Sequence, residues 1–332
     1  MPTSAGPEGV DSSNPGRSRA VRAIRVAGIV IALIAVGLCA HTLADQWSEV
    51  SDAIANAQVG WLVAAFVASA AAMTTLGLLW WRCFAVFGVQ VPAGHAVAWY
   101  FGGELGKYLP GGVWQVVGRG ELARRAGVRR STGYSTTLIS YAAMCVGAAA
   151  TCGLLAAPAA WAGSSLGWAW LLLLLVPAGL VAVHPAVFGR LLRLGSRLTK
   201  GRLDLAPPPW PTMIGLIACS IPAWFFLGAA SVAVTASLGF DQHPARVAFA
   251  AIAAWILGFL AVPIPAGAGV RELIFVALSG LDSAPGVAVA AIARLLLIIV
   301  DALGGVLGLW LSRRLLRPPS STRSVYDPDR AG

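Results

Sequence analysis

The chain is poor in charge and almost without lysine. Only 11% of its 332 residues are Asp, Glu, Lys or Arg, against roughly a quarter in soluble globular domains, and that excludes the water-soluble class. Of the 24 basic residues all but Lys107 and Lys200 are arginine. Cysteine is scarce: Cys39, Cys83, Cys145, Cys152 and Cys219 include no pair at CxxC spacing, so neither a disulfide framework nor a zinc site follows. His41, His95, His184 and His243 lie far apart in sequence and suggest no metal. Long polar stretches are limited to residues 1–25, 184–211 and 312–332, none able to bury a core of its own. No glycine-rich stretch ends in Gly-Lys-Ser/Thr, as a phosphate-cradling nucleotide loop would require. No cofactor is called for, and ATP is not expected as a driver.

What is present is apolar. Hydrophobic residues make up 58% of the chain, Gly numbers 38 and mean hydropathy is +0.75. A helix crossing a bilayer needs about 20 such residues. The clear runs cover about 26–44, 59–81, 133–157, 166–183, 212–238, 246–262 and 284–311. The net charge of +10 reads as the cytoplasmic loop bias that fixes topology, not as a nucleic-acid surface. Arg17, Arg19, Arg22 and Arg25 precede the first run like a secretory leader. The polar stretch before it is long, however, no good Ala-x-Ala site follows, and Leu38 spoils a lipoprotein box at Val36–Cys39. A retained first helix is expected.

Basic residues then cluster in alternate loops. Arg82, Arg119, Arg124, Arg125, Arg129 and Arg130 follow the second run. Arg190, Arg193, Arg197, Lys200 and Arg202 follow the fourth, and Arg313, Arg314 and Arg317 the last. The first connecting loop carries Asp45, Glu49 and Asp52 instead. With both termini cytoplasmic, every basic cluster falls inside. Residues 93–118 are too few for two crossings, and treating them as one would place five arginines outside, so a re-entrant hairpin from the cytoplasmic side is expected. Residues 263–283 must by contrast cross once, in a helix broken by Pro263, Pro265, Gly267 and Gly269.

The expected fold is an all-α polytopic membrane protein of about eight transmembrane helices plus one re-entrant hairpin. The expected domains are a disordered basic tail (1–25), an integral membrane domain (26–312) and a disordered C-terminal tail (313–332). Within 184–202, Phe188, Leu191, Leu192 and Leu198 fall opposite Arg190, Arg193, Arg197 and Lys200. This reads as an interfacial helix on anionic headgroups, or as an arginine-rich capture surface.

Ionisable residues inside a bilayer cost roughly 2.5–3.5 kcal/mol each and face a cavity or a partner. Three places qualify. In Gly103–Trp114, glycines and Pro110 break the helix between Glu104, Lys107 and the following Arg119; Glu104 and Lys107 either serve a ligand or neutralise each other. In Pro263–Glu272, a Pro/Gly loop leads into a short helix with Arg271 and Glu272 at its start. That is an anion-holding arrangement or a tight turn with a salt bridge. In the last run, Arg294 and Asp301 are seven residues apart on one face, with Gly304 and Gly308 beside them at a spacing that lets helices approach. Arg294 and Asp301 pair with each other, pair with Glu272, or bind. Together these residues carry one more cation than carboxylates, which suits a lipid phosphate better than a cation. Two Gly/Pro-interrupted segments, one in each half, also point to a transporter-like site at the midplane and to an inverted repeat.

The motifs GKYLPGGVWQVVGR (Gly106–Arg119) and PIPAGAGVRE (Pro263–Glu272), with the late-helix Arg294, resemble the transmembrane region of bacterial lysylphosphatidylglycerol synthases over roughly residues 25–312. The resemblance implies a flippase-like protein of a bacterial plasma membrane that moves a lipid between leaflets. The soluble domain that makes the aminoacylated lipid from aminoacyl-tRNA is not expected here, so no enzyme activity is expected.

On this reading Lys107, Arg119, Arg271 and Arg294 hold the phosphate of an anionic phospholipid or lipid-linked carrier. Glu104, Glu272 and Asp301 orient those cations, and Pro110, Gly111, Gly112, Pro265, Gly267 and Gly269 form hinges. Two alternatives stand beside it. One is a membrane-embedded glycosyl or lipid transferase using Asp45, Glu49 and Asp52, although its external loops look short for a substrate pocket. The other is a non-catalytic partner subunit of a membrane enzyme.

Overall fold

The computed structural model describes residues 51–52, 54–108, 114–161, 175–187, 189–190, 208–261, 267 and 269–315. Among them the fold is all-helical: α1 (Val59–Ala85), α2 (Ala93–Glu104), a 3-10 turn (Leu105–Tyr108), α3 (Trp114–Arg125), α4 (Arg130–Trp161), α5 (Leu175–Val183), α6 (Trp210–Ser237), α7 (Pro244–Leu260), α8 (Val270–Ser279) and α9 (Ser283–Leu315). Among the described residues four helices are long and apolar enough to cross a membrane: α1, α4 over Arg130–Ala156, α6, and α9 over Ser283–Ser312. The expected first span, 26–44, lies outside the described residues, as does most of 184–202. Of the expected span 166–183 the described part is α5.

Large apolar side chains stand on the outer surface, and charged residues are buried in the interior. Val59, Val67, Leu154, Leu303 and Val306 are among the exposed large side chains, while Glu104, Arg119 and Asp301 are buried. This inverts the soluble pattern and is what hydrocarbon as solvent requires.

The remaining helices are short. α2 and α3 have 12 residues each, about 18 Å by helix rise against a hydrocarbon core of about 30 Å. They pack on each other as a helical hairpin whose second arm runs past 118 to Arg125. α7 has 17 residues and α8 only 10. The described part of 263–283 is thus a helix of about 15 Å, not the full crossing expected from the sequence. α8 instead folds back along α7. Gln242 Nε2 donates to the Gly280 carbonyl at 2.7 Å and Arg246 Nε to the Leu278 carbonyl at 3.1 Å, tying the start of α7 to the end of α8. The start of α7 and the start of α9 therefore stay on one side, as the loop-charge reading requires, without a membrane-length helix in between.

Helix α9 organises both hairpins. A Cβ on Gly308 would collide with the Ala98 carbonyl, and one on Gly304 with the Phe101 ring. Those two glycines let α2 lie against the C-terminal half of α9, with its chain direction opposed. α8 lies on the N-terminal half, where Val276 packs at Gly286. The α2–α3 hairpin thus climbs α9 from one end and the α7–α8 hairpin descends it from the other. Their tips meet between Arg294 and Asp301.

Candidate functional site

At the meeting point is a cleft lined by side chains from five helices and the 3-10 turn. Lys107, Arg271, Glu272, Arg294 and Asp301 supply its charge. Met73, Leu227, Trp255, Phe275, Leu297 and Ile298 supply most of its apolar wall, and Ser231 adds a hydroxyl. The free volume is about 70 Å³. A single water needs about 10–15 Å³ on the same measure, so the space takes a small polar headgroup with some water, not a whole lipid.

Each cation is held differently. Lys107 Nζ lies 2.9 Å from Glu104 Oε2 and 2.7 Å from Asp301 Oδ2, so it bridges the α2 end to α9. Arg294 Nη1 donates to Glu272 Oε1 at 2.5 Å. That uses one of the five N–H donors of a guanidinium, and Glu272 is its one described hydrogen-bond acceptor. Its side chain is 24% exposed and is among those that line the cleft. Arg271 lays its guanidinium over the Trp255 ring, Cζ to centroid 4.9 Å. Its stem lies over Gly258, where a Cβ would strike Arg271 Cγ, and beside Gly267. Gly267 and Gly269 have φ of 65° and 80°, the left-handed region open to glycine. That backbone starts α8 at the depth where Arg271 and Glu272 enter the cleft.

Arg119 sits elsewhere. It is fully buried behind the cleft, bonded to Glu104 Oε1, with Cζ 3.9 Å from the Tyr100 ring centroid. Its Nε and Nη1 have no hydrogen-bond acceptor among the described residues, and the ring faces stand in for one. The missing Cβ of Gly103 makes room for its stem. The structure thus gives Arg119 and Glu104 a common place, as a buried pair that fixes Lys107, and neither lines the cleft. Lys107, Arg271, Arg294, Glu272 and Asp301 are brought together. Pro110, Gly111, Gly112 and Pro265 lie outside the described residues.

The lining charges come to three cations against two carboxylates. One Glu272 oxygen, Oε2, is buried without a hydrogen-bond partner among the described residues. Sequence reasoning missed Trp255, Gly258 and Ser231. All three stand in apolar runs where nothing in the pattern separates a cleft-facing residue from a packed one. The only hint was Trp255 and Phe259 sharing one helix face at i, i+4 spacing.

A family model described as the lysylphosphatidylglycerol synthase TM region matches residues 25–305. No curated protein matches the chain. The match spans most of the sequence, including both hairpins and α9 as far as Gly305, and the chain belongs to that family of multi-pass membrane proteins.

Proposed function

We propose that the chain binds the phosphate of an anionic phospholipid or lipid-linked carrier in this cleft and moves the lipid between leaflets. The observation that carries the reading is the convergence of Lys107, Arg271 and Arg294 on one small cavity among apolar helices. A buried cation is kept at such cost where something anionic meets it, and Arg294 has donors left over after Glu272. The headgroup enters the cleft while the acyl chains stay in hydrocarbon, consistent with the volume. Glu272 and Asp301 orient the cations, Gly267 and Gly269 supply a hinge, and the role is transport without catalysis.

The membrane is a bacterial plasma membrane, with both termini cytoplasmic. Arg124, Arg125 and Arg130 crowd around the single carboxylate of Glu121 at the α3–α4 junction, and such an excess favours the cytoplasmic face. Membrane lipids are the partners, and an associated membrane enzyme is compatible with the arrangement.

The test is transbilayer movement of labelled phosphatidylglycerol and phosphatidylcholine in liposomes holding the purified protein, beside an Arg271→Ala/Arg294→Ala variant. Faster movement of the anionic lipid, lost in a variant that still folds, supports the reading. Equal, unaccelerated movement of both lipids, with and without protein, counts against it and favours a non-catalytic subunit of a membrane enzyme.

A further inference from the structure

The two hairpin tips are joined through α9 by ion pairs, and also by a second route that avoids α9. From Arg271 the first step is the Trp255 ring at 4.9 Å. Trp255 stacks on Phe259, one turn along α7, with centroids 5.5 Å apart and planes at 11°. Phe259 meets Tyr141 of α4 edge-on at 5.2 Å and 76°. Arg119 Cζ lies 5.5 Å from the Tyr141 ring, and the Tyr141 hydroxyl donates to Gln115 Oε1 at 2.8 Å, so both hold α3. Arg119 binds Glu104, which binds Lys107. Trp224 braces the row at Trp255, edge-on at 4.9 Å.

We infer that Phe259 and Tyr141 are positioning residues that couple Arg271 on one hairpin to Lys107 on the other, so that these two of the cleft's three cations move as a unit. Neither ring lines the cleft, so neither acts by touching a ligand. Aromatic rings suit this work because they are rigid and prefer a few contact geometries. A displacement at one end is passed along and not absorbed by rotamer changes. The alternative is that each hairpin responds alone, with α9 as the only bridge.

Two measurements on the purified full chain decide it, and only the second rests on the phosphate reading. The first is amide hydrogen exchange across Val270–Ser279, which reports opening of α8. Tyr141→Leu removes the ring from α4, and exchange in α8 is expected to quicken about threefold or more, a local destabilisation passed to a distant element. Tyr141→Phe loses the bond to Gln115 but keeps the ring contacts with Phe259 and Arg119 that form the row, and is expected to exchange close to the wild type. If Tyr141→Leu folds poorly, Phe259→Leu breaks the same row at nearly constant volume. A change confined to α3 and α4, or a Tyr141→Phe protein as fast as Tyr141→Leu, overturns the inference.

The second measurement is affinity for phosphatidylglycerol in nanodiscs, expected to fall about fivefold in Tyr141→Leu, within the usual span of coupling between sites, and to be kept in Tyr141→Phe. Equal affinities in all three proteins overturn the inference. A wild-type protein that ignores phosphatidylglycerol counts against the phosphate reading, while the exchange result still settles the row.

Discussion

Glu272 gives its carboxylate to Arg294, on α9, at 2.5 Å, and not to Arg271, its neighbour in the chain. Successive residues on a helix point about 100° apart and cannot face each other. The geometry of α8 thus sends one of the two to the partner helix and the other to the ring of Trp255. The pair latches the α7–α8 hairpin to α9 and leaves two arginines in the cleft with distinct supports.

Arg294→Ala is expected to cost about 3 kcal/mol of stability, the low end for stripping a partner from a buried charge, because Glu272 is left without its cation. Arg294→Ala/Glu272→Ala, which removes both charges, should recover most of that stability and none of the anionic-lipid binding. Thermal unfolding in detergent beside a lipid-binding measurement separates the two effects. If the double variant also recovers binding, Arg294 does not hold the ligand.

Gly258→Ala is expected to lower affinity for anionic lipid about tenfold, or about 1.4 kcal/mol. The added Cβ meets Arg271 Cγ, close to the backbone where the side chain cannot swing clear. Gly215→Ala, on α6 with open space around it, is the control. It should leave binding untouched and raise stability by about 0.5–1 kcal/mol, the entropic gain from replacing a helical glycine. Titration of both variants with phosphatidylglycerol vesicles is the check.

Arg119→Lys should destabilise the protein by about 2 kcal/mol although the charge is kept. A lysine cannot bind Glu104 and lie flat on the Tyr100 ring at once, as the planar guanidinium does. Tyr100→Leu removes the ring from the other side, and the two losses should be less than additive when combined. Chemical denaturation of the single and double variants gives the comparison, and strict additivity would separate the ring from the guanidinium.

Acid sensitivity has a defined source at the α3–α4 junction. Hydrogen bonds from Arg124, with help from Arg125 and the charge of Arg130, hold the Glu121 carboxyl down from 4.5 to about 2. A carboxyl lowered on folding stabilises the folded state above its unfolded value and loses that contribution as pH falls through its folded one. The loss should therefore run from about pH 4.5 to about 2, be absent in Glu121→Gln, and shrink in high salt because the group is exposed. Melting temperature against pH, for wild type and variant, measures it.

The long helices were legible because apolar runs of membrane length leave little choice. The runs 59–81, 133–157 and 284–311 fall within α1, α4 and α9, and 212–238 overruns the end of α6 by one residue. The end of α2 at Glu104 was legible from the glycines around it. What the sequence hid was the return of α8. A count of residues from 263 to 283 allows a crossing, and only the contacts of Gln242 and Arg246 with the end of α8 reveal a short helix lying back on α7.

The ion pairing was legible only as a choice. Arg294 and Asp301 share a face, but seven residues set them about 10 Å apart along the axis, too far to pair directly. Each therefore takes a partner from a different hairpin. Arg119 read as a ligand for phosphate because it follows a Gly/Pro break; burial between aromatic rings is a tertiary fact no spacing encodes.

Because both hairpins register against the same helix, α9 works as a ruler. The gap between their tips is set by the rise from Arg294 to Asp301 and by nothing in the loops. One residue added between them would turn Asp301 about 100° and move it 1.5 Å, taking Lys107 off its carboxylate while Glu272 kept its arginine. Loops can gain or lose residues without changing that measure. The stretch from 294 to 301 has a length that counts as much as its composition.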